Sequence, residues 1–140
     1  MRSVTVAGVF TGLLMGMPVA AQQLTDDAMM MKRLGAPVLT GKKLQKAIEK
    51  AGGFPLGSKE NPVRADGPGG SRAYLAQLRC VGGAAPAYDR AGSVGTGPYG
   101  TILDLYNVAC SGAEAREVYI DMYHRHEEVT AVPGFLLEKP

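Results

Sequence analysis

Apolar and polar positions along this chain change their spacing twice. From Val4 to Met17 the residues form a short apolar run. Between Asp26 and Ala51 apolar residues recur three or four apart, the spacing of a helix face. Near residue 57 the chain changes character, and the remainder is strand-like and rich in glycine.

Two helices are predicted in the first part. Asp26 to Leu34 has Thr25 as a cap, acidic residues at its start, Lys32 and Arg33 at its end, and Gly35 as a stop. Lys42 to Ala51 carries Leu44, Ala47, Ile48 and Ala51 on one stripe, with lysines on the wet face and Gly52-Gly53 after it. Thr40 is its expected cap.

In the second part Pro62 to Ala65 reads as a short extended piece and Asp66 to Gly70 as a turn cluster. Arg72 to Val81 fits either period. Tyr74, Leu75 and Leu78 suit a helix, and Tyr74, Ala76, Leu78 and Cys80 suit alternation; strand is the favoured reading. Gly82 to Gly100 reads as a long loop with a short strand near Ala87 to Arg90. Thr101 to Cys110 and Glu117 to His124 alternate cleanly and predict two strands joined by a turn that starts at Ser111-Gly112-Ala113. The expected fold is α+β: one or two N-terminal helices packed on a small antiparallel or mixed β-sheet, with one disulfide. The expected organisation is residues 1–21 as a signal peptide, 22–56 as a helical segment and 57–140 as the β-rich part of the same single domain.

The first apolar run has the three parts of a secretory signal. Arg2 is basic, the core is short of the roughly 20 residues a span needs, and Val19 and Ala21 are small residues where a signal peptidase reads. The expected localisation is therefore periplasmic or secreted, with no stable membrane span after cleavage. The formal charge is +2, and removal of Arg2 leaves the rest close to neutral. That balance gives no electrostatic case for nucleic acid. The absence of tryptophan argues against a stacking platform for single strands or sugars.

Cys80 and Cys110 are the only cysteines. In an oxidising compartment an even count reads as a disulfide. The pairing limits topology. In a simple hairpin of residues 72–81 and 101–110 the two cysteines would stand about 25 Å apart at roughly 3.3 Å per residue, whereas a disulfide needs Cα atoms within about 7 Å. Either the segments run parallel or residues 72–81 form a helix docked on the sheet.

Candidate chemistry is sparse. Gly95 to Gly100 (GTGPYG) matches a dinucleotide-loop pattern but precedes a strand instead of following one. It reads as a glycine-rich turn, with Gly97, Tyr99 and Gly100 as a possible ligand loop and Tyr99 at its tip. His124, His126 and Glu128 would share one face if their strand continued, a donor set that suits zinc or copper. Met29-Met30-Met31 offers soft sulfur, but consecutive helical residues point about 100° apart and cannot converge on one ion. Asp104, Asp121 and His124, with nearby tyrosines, would form an acid/base group if one cleft held them. Nothing in the sequence calls for a cofactor.

Several runs between Glu60 and Phe135 resemble uncharacterised small exported proteins of Gram-negative bacteria: Asn61 to Arg64 (NPVR), Tyr74 to Cys80, Gly97 to Gly100, Leu105 to Cys110 and Asp121 to His124 (DMYH). The resemblance implies an exported compartment and brings no activity with it. The expected function is a small exported, non-enzymatic binding or interaction protein whose partner is a protein or an envelope component. Two competing readings stand beside it: a periplasmic metal-binding protein using His124 and His126, and a small hydrolase-type enzyme using Asp104, Asp121 and His124.

The export reading has a direct check. Protein recovered from the periplasm or medium should begin at or near Gln22 by mass spectrometry, and an intact Met1 on that form would contradict it.

Overall fold

A computed structural model describes residues 38–138. The expected signal peptide, the expected helix over Asp26 to Leu34 and the Met29–Met31 run lie outside the described residues.

The first described element is helix α1 (Gly41–Ala51), as its apolar stripe predicts. It is lightly packed: Ala51 is its one fully buried residue, while Leu44, Ala47 and Ile48 are half-buried. Thr40 precedes it in extended conformation, and its side chain makes no capping bond. Strand β1 (Val63–Arg64), helix α2 (Gly67–Gln77) and strand β2 (Leu78–Arg79) come next. Strands β3 (Ala87–Thr96), β4 (Ile102–Ala109), β5 (Arg116–Asp121) and β6 (Leu136–Leu137) complete the order. The main sheet runs β1-β5-β4-β3, with β3, β4 and β5 antiparallel and β1 parallel to β5. A two-stranded antiparallel ribbon joins β2 to β6. The architecture is α+β with a mixed sheet and one disulfide.

The expected strand over residues 72–81 is mostly helix. Ser71, Tyr74, Leu75 and Leu78 are buried while Ala76 is exposed, so the apolar positions follow the helical period and break alternation. The expected turn at Asp66 to Gly70 instead opens this helix. Pro68 sits in the first turn, where its missing N–H costs nothing. The disulfide is consistent with this arrangement and excludes the simple hairpin.

Strand β3 corrects the expected loop. It is an edge strand with hardly any buried side chain, so it carries no apolar period to read. Its pairing with β4 comes from backbone hydrogen bonds, and register shifts between Arg90 and Gly92 and between Ser93 and Thr96 break it twice.

One sheet face packs α2. Register puts Tyr106 opposite Val118, and Ile120 between Asp104 and Val63, so these side chains share a face. Val63, Tyr106, Val108, Val118 and Ile120 form the core there with Tyr74, Leu75 and Leu78 of α2. Val132 and Phe135 close it from the C-terminal segment. The Tyr74 hydroxyl fastens that segment, donating to the Thr130 carbonyl and accepting from the Val132 N–H, each at 3.0 Å. Gly57 is required where this segment crosses. Its φ is +84°, and a Cβ would lie 2.5 Å from a Val132 methyl.

Cys80 follows β2 and Cys110 follows β4, with Cα atoms 5.9 Å apart. The bond ties the α2 side of the molecule to the sheet. Closing a loop of 30 residues is worth roughly 3–4 kcal/mol in the chain-entropy model. Reduction, or Cys80→Ala with Cys110→Ala, should lower the melting temperature by about 10 °C or more. An unchanged melting temperature by calorimetry would contradict this.

Candidate functional site

The sheet face away from α2 carries a buried carboxylate. Asp121 ends β5 and is fully buried. Because Asp104 pairs with Ile120, Asp121 lies on the opposite face from Asp104, alongside Leu103. A buried carboxylate needs donors, and Asp121 has three. The Thr101 hydroxyl donates to Oδ2 at 2.7 Å. The Tyr123 backbone N–H donates to Oδ1 at 2.9 Å. His124 Nδ1 donates to Oδ2 at 2.7 Å.

The chain supplies these donors locally and from a distance. β5 stops at Asp121, and the bend after it turns Tyr123 and His124 back on the carboxylate. Thr101, also fully buried, comes from the turn between β3 and β4. That turn is tight: a Cβ on Gly97 would meet the Leu103 side chain at 2.6 Å, so only glycine fits.

His124 reaches outward from the pair. Its Nε2 lies 3.0 Å from the Leu39 carbonyl oxygen. The Leu39 N–H in turn donates to the Tyr99 carbonyl at 3.0 Å. The Tyr99 ring meets the imidazole edge-on, with centroids 5.7 Å apart and planes at 81°. Both ring nitrogens of His124 therefore face oxygen acceptors. A neutral imidazole has one donor, so satisfying both requires the imidazolium. Burial works against that charge, but the Asp121 carboxylate and the Leu39 carbonyl outweigh it and raise the His124 pKa above its ordinary value; Arg64 opposes them. Burial also pushes the Tyr99 phenol up.

This geometry locates the sequence candidates. Tyr99 is 1% exposed and packs inward, so it is not the tip of a ligand loop. The loop folds back because Leu39 and His124 bind it. His124, His126 and Glu128 do not converge. Strand β5 ends three residues before His124, which removes the shared face that continuation would have given. His124 is engaged on both nitrogens, while His126 Nε2 lies 3.7 Å from Glu128. Among the described residues no three His, Cys, Asp or Glu side chains are placed to hold one ion. Asp104 and Asp121 do not share a cleft. Asp104 is clamped by Arg90, whose Nε and terminal nitrogen lie 2.9 and 2.8 Å from its two oxygens, and by Ser93 at 3.0 Å.

Sequence reasoning missed Thr101, Leu39 and Arg90. Thr101, a hydroxyl opening an apolar strand, was the one local signal. Leu39 binds through its backbone and leaves no trace in side-chain pattern.

A second feature opens to solvent. A cleft of about 370 Å³ lies between α2 and residues 125–128, near β1. Arg64, Asp66, Arg125, Glu127 and Glu128 line it with both signs of charge. Asp66 and Arg125 pair at 3.1 Å. One Glu128 oxygen accepts from the Val129 and Thr130 N–H groups at 3.1 and 3.0 Å. No family model, curated protein or solved structure matches the chain.

The imidazolium gives stability a definite pH dependence. A histidine whose pKa rises on folding contributes fully below its ordinary value of 6.5, and the contribution fades as pH climbs through the raised value. The urea midpoint should therefore be higher at about pH 6 than at about pH 9. His124→Gln should flatten that profile. A wild-type midpoint that increases over this range would contradict the assignment.

Proposed function

We propose that this protein is a small exported binding protein without catalytic activity, and that the open cleft beside α2 is its binding site. The observation that carries the reading is the contrast between the two polar groups. The Asp121–His124 pair is sealed: His124 is 8% exposed, and hydrogen bonds occupy both its nitrogens. A general base needs a free lone pair within reach of substrate, and this imidazole has none to offer. The cleft is solvent-facing, lined by charge, and falls at the small end of the 300–1,000 Å³ range common for small-molecule sites.

Export rests on the residues before the described part. The short basic start, the apolar run and the small residues at Val19 and Ala21 support it. The Cys80–Cys110 bond fits an oxidising compartment. No helix among the described residues is long and apolar enough to cross a membrane.

The test is direct. Protein isolated from the periplasm and incubated with a small-molecule envelope extract should carry a bound adduct in native mass spectrometry. Glu127→Gln, an exposed position on the cleft lining, should reduce the adduct without changing the melting temperature. Absence of any adduct, or turnover of extract components that His124→Gln abolishes, would overturn the reading.

A further inference from the structure

Charge is spread unevenly over this molecule. The lysines of the described residues, Lys42, Lys43, Lys46, Lys50 and Lys59, all lie on α1 or in the turn after it. Residues 41–60 set these five lysines against Glu49 and Glu60, while residues 61–138 set six arginines against nine carboxylates. Helix α1 is therefore a basic pole on a chain whose total is near balance. At 3.6 residues per turn, Lys42, Lys46, Lys50 and Lys43 fall within about 100° of arc, away from the stripe of Leu44, Ala47, Ile48 and Ala51. All five lysines are exposed, and none forms an ion pair among the described residues. The one acid of α1, Glu49, sits at the margin of that arc, 3.2 Å from the Gln45 amide.

An apolar surface adjoins this face. Phe54, just past α1, is 46% exposed. It lines a groove of about 600 Å³ with Ala47, Ala51 and Pro98, and Lys50 and Lys59 line the same groove, with Glu60 as its one acid. A free polyanion would match the lysines and leave the phenyl ring in water. An anionic bilayer offers both layers: headgroup charge for the ammoniums and, just beneath it, an apolar region for the ring. The residue type fits as well. Lysine is a point charge on a flexible stem, suited to a diffuse layer of headgroups, whereas sites that grip one anion in fixed geometry favour arginine, and α1 has none. We propose that the face formed by α1, Phe54 and Lys59 attaches this protein peripherally to an anionic phospholipid surface. The attachment goes beyond the binding-protein reading and shares no residue with the lining of the cleft beside α2, so either can fail alone.

The test is co-sedimentation of protein isolated from the periplasm with two kinds of vesicle at low salt. One kind mixes phosphatidylglycerol and phosphatidylcholine, one part to two; the other is phosphatidylcholine alone. The mixed vesicles should bind the protein about tenfold more strongly or better. Salt at about 1 M, which cuts the screening length to about 3 Å, should release it. Lys46→Gln should weaken binding about fivefold. Arg72→Gln removes the same charge from an exposed position on α2 and should leave binding unchanged. Phe54→Ala should also weaken binding and leave its salt sensitivity intact. All three variants change exposed side chains, so each should keep the wild-type melting temperature. A short DNA duplex, which carries charge without an apolar layer, should bind more weakly than the mixed vesicles. Equal binding to the two kinds of vesicle, equal effects of Lys46→Gln and Arg72→Gln, or tighter binding to the duplex would overturn the attachment.

Discussion

One buried carboxylate organises the half of the molecule that the hydrophobic core does not reach. Asp121 sits at the end of β5 with no solvent access. An ionised carboxylate in that position is tolerable only when paired and hydrogen-bonded. Three separate pieces of chain meet that requirement: the turn holding Thr101, the bend holding Tyr123 and His124, and, through His124, the Leu39 backbone. Leu39 and His124 stand 85 residues apart in sequence. Their contact sets where the chain enters α1. That helix is lightly packed, with Ala51 its one fully buried residue.

The same constraint bears on function. Histidine next to aspartate invites a catalytic reading, and residue types alone do not exclude one. The difference lies in where each nitrogen points. Nδ1 meets Asp121 and Nε2 meets a backbone carbonyl, so the ring is consumed in holding the fold. Among the described residues every fully buried side-chain nitrogen or oxygen has a partner. The cleft beside α2, by contrast, is open to solvent and lined by charged residues of both signs.

Elements that bury one regular face were legible in the sequence. The stripe of α1 and the alternation of β4 and β5 each follow from a local period, and the disulfide was expected from an even pair of cysteines in a chain read as exported. Helix α2 was ambiguous because Leu78 satisfies both periods, and only the burial of Leu75 against the exposure of Ala76 decides it. Strand β3 was hidden for the opposite reason: an exposed edge has no apolar pattern, and its glycines read as loop. At the site, Asp121 and His124 were visible as candidates. Their sheet face was not, because it depends on the pairing of Asp104 with Ile120. The partners Thr101 and Leu39 are tertiary facts.

The measurement that bears most directly on this account is nitrogen-15 NMR of the imidazole rings. The chain has two histidines, so a His126→Asn variant assigns the spectrum. At neutral pH both ring nitrogens of His124 should resonate as protonated, each with its own slowly exchanging N–H, and the ring should titrate above its ordinary value of 6.5. A neutral His124 at that pH, with one nitrogen showing a free lone pair, would contradict the account and restore a base to the protein.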